Sequence, residues 1–332
     1  MPILIAAPAD PKTRAKWLER LYQAVLDDGL QYLFPAEERW GKIAVYPELM
    51  NEYADLLLPS LRRVWSHDTP GGSVIGGTTC LSCLLEVGRY EELLDLLGSS
   101  RRRFWSDHRF GAEALARQGL TDAAIAYADA CRDPTVSRYE ERSIDRFCEA
   151  LLIRTGRVDE AYQRYGLRTG AGTTYLATFR DTVRRYPGRD KRQVLLDLMR
   201  ARGETGKWFA AAKDAGFLDI ALECAASQDA EPATLVRAAR DHLDKEPRFA
   251  AQVAVCAVRS LLSGGGYDPD PADLHAAVDH LTAAAKRLGA EDWAREQMRT
   301  LAAGHCSPGR EYMRTALTLI LEHGTLMKRI GR

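Results

Sequence analysis

The sequence predicts an all-α protein of stacked antiparallel helical hairpins, for two reasons. A short phrase recurs at intervals of a few tens of residues, and no segment shows a strand pair or a β-α-β rhythm. In the phrase a glycine is followed three residues later by an acid and five residues later by Ala or Leu, at residues 88–93, 119–124, 156–161 and 216–221. The glycine favours the end of one helix, the acid the first turn of the next, and the small or apolar residue the start of a buried face. Hairpins repeated in this way bury their apolar faces by stacking.

The composition excludes some classes of function. The 332 residues include 46 Lys plus Arg and 46 Asp plus Glu, so the formal net charge is zero. This balance argues against attraction of the whole surface to nucleic acid or anionic lipid, and it leaves room for a local charged patch. The length suits two compact domains or one elongated array, and 46% apolar residues suffice for a sizeable core.

The cysteines and the N-terminal residues predict a cytoplasmic protein. Seven cysteines is an odd number, and most lie inside helical apolar patterns, which favours reduced core residues over a disulfide framework. The apolar run near residue 3 lacks preceding basic residues and is too short for a signal peptide, and no stretch is long enough to span a bilayer. The cysteines are Cys80, Cys83, Cys131, Cys148, Cys224, Cys256 and Cys306.

Residues 1–70 are predicted to form N-terminal helices. Asp10 followed by Pro11 is typical of an N-cap and first helical position, and apolar residues then recur at helical spacing as far as Val25. A second long helix is expected over residues 48–65. A glycine-rich connector follows it.

Residues 71–263 are predicted to form the hairpin array, and residues 267–332 a C-terminal helical cap. Within the array, Ser137 and Glu140 have capping-box spacing, and Asp190 is expected to cap a helix after the break at Tyr186-Pro187-Gly188. The run Gly264-Gly265-Gly266 is the predicted boundary between array and cap, and Asp270 followed by Pro271 begins the cap's first helix.

Two resemblances accompany this pattern. The phrases Gly-Arg-Tyr-Glu-Glu-Leu at 88–93 and Gly-Arg-Val-Asp-Glu-Ala at 156–161 resemble the start of the second helix in tetratricopeptide repeats. This resemblance covers residues 78–226, although Gly77 and Asp145 stand where that family has a first-helix Trp, and it implies a right-handed stack with a groove. The segments 174–187, 206–216 and 234–241 are similar to a family of uncharacterised bacterial helical proteins, which implies a bacterial cytosolic protein and adds no catalytic residues to the prediction.

Residues 71–78 have the Gly-x-x-x-x-Gly-x-Thr spacing of a phosphate-binding loop. Gly77 stands where the phosphate-binding Lys is required, and no strand precedes the loop. We therefore favour a connector with Thr78 or Thr79 as the N-cap of the next helix, with a nucleotide site as the alternative.

Cys80 and Cys83 have the spacing of a zinc-binding or redox pair. No second pair lies at zinc-finger spacing and no thioredoxin-like strand precedes them, so two core cysteines on one helix are favoured. His275 and Asp279, one helical turn apart, are favoured as a solvated pair over metal ligands. We expect no catalytic, cofactor-binding or metal-ligating residues.

Residues 167–213 are the most strongly charged part of the chain, with eleven basic residues and four acids. Aromatic residues lie between the basic ones, as in surfaces that stack bases and neutralise phosphates. Alternatively, the arginines lie along helix surfaces and pair with acids of adjacent hairpins. The candidate partner-binding residues are Arg180, Arg184, Arg185, Arg189, Arg192 and Lys207.

The preferred function is a non-enzymatic scaffold that binds a protein or peptide partner in the groove of the repeat array. One alternative is the binding of nucleic acid or another polyanion through residues 180–213. Another is an enzyme whose site carries no recognisable motif. No membrane association and no cofactor are expected.

Overall fold

A computed structural model describes residues 2–30, 32–66, 74–100, 103–133, 138–170, 172–267 and 270–323 of the chain. Across these ranges it contains 20 α-helices, one π-helix, one 3-10 turn and no strand. The prediction of an all-α fold is therefore confirmed. The chain divides into two compact units, Met1–Thr169 and Gly170–Arg332, which are described one at a time.

The second helix of the first unit begins where the sequence predicts. The Asp10 carboxylate accepts the backbone N–H groups of Lys12 and Thr13, at 2.9 and 3.1 Å, and so caps the second helix. The helices are α1 (Pro2–Ala6), α2 (Pro11–Asp27), α3 (Phe34–Glu37), α4 (Trp40–Ala44), α5 (Pro47–Ser66), α6 (Gly77–Val87), α7 (Tyr90–Ser99), α8 (Trp105–Arg117), α9 (Thr121–Asp129), α10 (Arg138–Arg154) and α11 (Val158–Ala161), which a π-helix (Tyr162–Gly166) continues.

An aromatic cluster lies in the N-terminal part of this unit. The fully buried Trp40 ring lies edge-to-face against Tyr22 and Tyr53, with ring centroids 5.9 and 5.1 Å apart. This cluster belongs to a core that also contains buried side chains of α5, α6 and α7. The N-terminal helices and the first hairpin therefore share one core.

The phrase glycines end helices, as predicted. Gly88, Gly119 and Gly156 have φ of 86°, 80° and 80°, the left-handed conformation that glycine adopts without a steric penalty. In each case the next helix begins two residues later, forming the hairpins α6/α7, α8/α9 and α10/α11. The first helices of these three hairpins also contact one another in order, since α8 packs against both α6 and α10.

The second unit repeats these local features. Gly216 has φ of 81° and separates two helices, and the Asp190 carboxylate accepts the N–H of Gln193 at 2.8 Å, so both predictions are confirmed. The helices are α12 (Tyr175–Arg185), α13 (Lys191–Arg202), a 3-10 turn (Thr205–Trp208), α14 (Phe209–Asp214), α15 (Leu218–Ala225), α16 (Pro232–His242), α17 (Pro247–Leu262), α18 (Pro271–Leu288), α19 (Glu291–Ala303) and α20 (Glu311–His323).

The glycine run at 264–266 separates α17 from α18, and these two helices pack directly against each other. Asp270 begins α18 as predicted, in a capping box with Asp273. Residues on both sides of the glycine run therefore contribute to one core within the second unit. The domain limits expected at residues 70 and 263 stay predictions.

Candidate binding surfaces

Ion pairs join the first helices of consecutive hairpins in the first unit. Arg117, near the end of α8, donates to both carboxylate oxygens of Glu86 in α6, at 2.8 and 3.1 Å. Arg154, near the end of α10, donates to both oxygens of Glu113 in α8, at 3.2 and 3.3 Å. Each arginine lies two residues before a phrase glycine, whereas Glu86 lies two residues before Gly88 and Glu113 six before Gly119, so only the arginine positions are equivalent.

A second row of ion pairs uses the phrase itself. Arg157 directly follows Gly156 and donates at 2.6 Å to Asp122, the acid of the preceding phrase. The same guanidinium pairs with Glu160 at 2.6 Å within its own phrase. Asp122 therefore has a role beyond its favourable position near a helix N-terminus, because it accepts a hydrogen bond from the next hairpin.

The second unit also has ion pairs between helices, but here the phrase acid accepts from an arginine earlier in the chain. Arg180 of α12 pairs with Asp214 of α14 at 2.9 Å, and Arg192 of α13 pairs with Asp219 of α15. Asp219 is the acid of the phrase that begins at Gly216. The Arg192 guanidinium lowers the pKa of Asp219 to about 2, chiefly through the hydrogen bond that it donates.

Most of the candidate partner-binding arginines are thus engaged within the protein. Arg184 and Arg185 both pair with Asp181, at 2.6 and 3.0 Å, and the backbone N–H of Arg189 donates to the carbonyl of Tyr186. Lys207 lies exposed in the 3-10 turn, and its ammonium makes no ion pair with any residue that the structure describes. The structure therefore places four of these six side chains in ion pairs with acids of the same unit, and Lys207 outside any such pair.

The aromatic residues between them lie mostly in the core. Phe179, Tyr186 and Trp208 are 5%, 1% and 0% exposed. Tyr175, at the start of α12, lies edge-to-face against Trp208 with ring centroids 4.8 Å apart. Rings held in this way serve helix packing, since a ring must be accessible to stack on a base.

The glycine-rich connector is described only in part. Gly71, Gly72 and Ser73 lie outside the described residues. The expected N-cap at Thr78 or Thr79 is wrong, because α6 begins at Gly77 and its N-cap is Gly76, whose φ is 80°. The two threonines therefore lie in the first turn of the helix.

Ser137, expected in a capping box, also lies outside the described part of the chain.

All seven cysteines are free thiols, and five of them are buried. Cys80 and Cys83 are both fully buried, and burial raises the pKa of Cys80 to about 12. Within the described ranges no group of three or more His, Cys, Asp or Glu side chains is arranged to hold a metal ion. The interpretation of Cys80 and Cys83 as core residues agrees with this placement, whereas Cys256, expected to be buried, is half-buried on α17.

Sequence reasoning missed a buried arginine in the first unit. Arg14 is only 2% exposed, and its guanidinium donates to the carbonyl oxygens of Leu4, Ala7 and Ile43. The sequence contains a signal for this burial. Arg14 precedes Trp17 and Leu18 by three and four residues and so falls on the apolar face of α2.

Comparisons with known protein families, with curated proteins and with solved structures found no match to this chain. Neither resemblance stated above has therefore been tested, and each stays a prediction. Among the described residues, every helix is too short or too polar to cross a membrane.

Proposed function

We propose that the protein is a non-enzymatic scaffold, which binds a protein or peptide partner on a stack of helical hairpins of the tetratricopeptide type. The observation that carries this proposal is the repeated ion pairing between consecutive hairpins, such as Arg157 with Asp122 and Arg117 with Glu86. Arginines at equivalent positions of two consecutive hairpins support a regular arrangement of those hairpins. Regular stacks of this kind present extended surfaces to a partner.

We place the partner site on α10, the first helix of the hairpin α10/α11. Arg142 and Arg146 lie one helical turn apart and are exposed on this helix. Neither guanidinium pairs with a residue in the described ranges. Because they are not engaged internally, as Arg117 and Arg154 are, these two groups are free to bind carboxylates of an acidic partner.

Affinity capture with the purified full-length protein tests this function. Lysate of the source cells is passed over the immobilised protein after nuclease treatment, captured proteins are identified, and the affinity of a purified candidate is measured. We expect the double change Arg142→Glu, Arg146→Glu to weaken binding at least tenfold. The matched control Arg295→Glu, Arg299→Glu makes the same charge change at exposed positions of α19 and is expected to bind normally.

Two results would contradict the scaffold function with its site on α10. One is capture that disappears after nuclease treatment, which would indicate a nucleic-acid ligand. The other is equal loss of binding in the test and control variants, which would indicate a nonspecific effect of charge.

A second candidate function is polyanion binding through residues 180–213. It is favoured by Lys191, Lys207 and Lys213, whose ammonium groups make no ion pair with any described residue. The arginines of the same segment are engaged with Asp181, Asp214 and Asp219 or other groups, so the lysines carry most of the uncompensated charge. Lysine binds phosphate as a point charge, which suits a sequence-independent contact.

Retention on heparin at increasing salt concentration tests this second function. The triple change Lys191→Ala, Lys207→Ala, Lys213→Ala is expected to lower the salt slope by about one for each phosphate contact removed. A control with Lys12→Ala, Lys16→Ala and Lys245→Ala removes equal charge elsewhere and is expected to leave the slope unchanged. If the unaltered protein passes through heparin at low salt, the second function is wrong.

A further inference from the structure

A cavity of about 350 Å³ lies in the first unit, where α1, α2 and α4 meet. Its walls are mainly apolar and include Leu4 of α1, Leu21 of α2 and Ile43 of α4. The remaining lining includes the Trp17 ring and two arginines, Arg14 and Arg20. An open, mainly apolar cavity with basic side chains in its lining suits an amphipathic anion.

Arg14 is the unusual member of this lining. Its Nη1 donates to the carbonyl oxygens of Leu4 at 2.5 Å and Ile43 at 3.2 Å, and its Nη2 donates to the carbonyl of Ala7 at 2.6 Å. Its Nε is buried and has no acceptor among the described residues. The guanidinium carbon lies 5.3 Å from the centroid of the Trp17 ring.

The partners of Arg14 are dipoles, and none carries a full negative charge. Within the described residues no carboxylate lies within ion-pair distance of this guanidinium, which is 2% exposed. Buried charges in proteins are as a rule paired with an opposite charge, because an isolated charge in a low-dielectric interior is costly. The site therefore has a cation, an adjacent cavity and no protein anion.

We infer that this cavity binds a medium-chain aliphatic carboxylate. The carboxylate lies toward Arg14 and Arg20, where it supplies the missing negative charge. The aliphatic chain lies along Trp17, Leu21 and Ala24, whose apolar surfaces line the cavity on one face of α2. A volume of about 350 Å³ is at the small end for ligand pockets, so a chain of roughly ten carbons suits it better than a long-chain lipid.

The same features argue against other ligand classes. A phosphate ester or nucleotide needs several polar donors around the anion, whereas most of these walls are aliphatic or aromatic. A neutral hydrocarbon would fill the cavity but would leave the buried guanidinium without a counter-ion. Only a ligand with one anionic group and an apolar body matches both parts of the site.

Titration of the full-length protein with decanoate and with decanol tests the inference, with both ligands kept below the concentrations at which they aggregate. Binding is followed by calorimetry and by tryptophan fluorescence, to which Trp17 contributes. We expect saturable binding of decanoate, and binding of decanol at least tenfold weaker, because the alcohol has the same chain without the charge. Equal affinities, or no saturable binding of decanoate, would overturn the inference.

Variants locate the bound ligand. Ala24→Phe fills the cavity without altering a charge and is expected to abolish decanoate binding, whereas Ala150→Phe, at an exposed position of α10, is the matched control and is expected to bind normally. Arg14→Met is expected to weaken decanoate binding at least tenfold while decanol binding changes little. If Arg14→Met does not fold, as judged by thermal unfolding, Arg20→Met is measured instead and is expected to weaken decanoate selectively. Unchanged decanoate binding in Ala24→Phe would show that the ligand lies elsewhere.

Discussion

Arg117 and Glu86 form a bidentate ion pair between α8 and α6, with N–O distances of 2.8 and 3.1 Å. The same guanidinium donates to the backbone carbonyl of Leu85 at 3.3 Å. Its pKa is raised, chiefly by the hydrogen bonds that it donates to Glu86, so it stays charged throughout the accessible pH range. Two side chains 31 positions apart thus join consecutive hairpins.

Arg117→Ala is expected to lower the free energy of unfolding by about 1 kcal/mol, since the pair is bidentate and only partly exposed. The double change Arg117→Ala with Glu86→Ala is expected to cost less than the sum of the two single changes, because each single change leaves its partner without this ion pair. Urea-induced unfolding measures both. As a control, Arg295→Ala removes an exposed pair within one helix and is expected to change little. Additive effects of the two single changes would contradict the role of this pair.

Gly119→Ala is expected to destabilise the protein by about 1 kcal/mol, because φ of 80° places an alanine in the left-handed region. A Cβ at this position meets no atom within 4 Å, so the cost comes from the backbone alone. Gly98→Ala is the matched control inside α7, where a Cβ also meets nothing within 4 Å. There we expect stabilisation of about 0.5–1 kcal/mol, since alanine favours helix. Thermal unfolding of both variants shows whether the signs are opposite.

The pair of Asp219 with Arg192 predicts a dependence of stability on pH. The pKa of Asp219 is about 2 in the folded protein against 3.8 as its ordinary value, so the folded state binds the proton less readily than the unfolded state. The stabilising contribution is therefore fully present above pH 3.8 and is lost as the pH falls toward 2. Acid unfolding of Asp219→Asn is expected to lack this part of the pH dependence. Identical acid unfolding curves for the unaltered protein and the Asp219→Asn variant would contradict this prediction.

Thiol labelling of the folded protein at pH 8 is expected to modify at most two cysteines, Cys256 and Cys306, which are only half-buried. Burial raises the pKa of Cys131 and Cys148 to about 11 and that of Cys224 to about 12, so little reactive thiolate forms at this pH. Denaturation is expected to expose all seven thiols to the reagent. Rapid modification of Cys80 or Cys83 in the folded state would contradict the buried positions of these residues.

The sequence by itself determined where many helices begin and end. Gly88, Gly119 and Gly156 end helices, and Asp10 and Asp190 begin them, because these effects act over a few residues of the same chain. Even local reasoning has a limit, as the predicted N-cap at Thr79 shows. Several adjacent residues could cap α6, and the observed N-cap is Gly76.

The tertiary structure decided which charges meet and which aromatic rings are accessible. Asp214 and Asp219 lie 34 and 27 positions from Arg180 and Arg192, and no local pattern selects these partners among the many acids of the chain. Tyr186 and Trp208 are aromatic residues in a basic segment, yet helix packing buries them. Arg14 shows the same dependence, because its burial requires α1 and α4 to cover one face of α2. The physical reason is that capping acts within one turn of the chain, whereas burial and ion pairing depend on how separate helices pack.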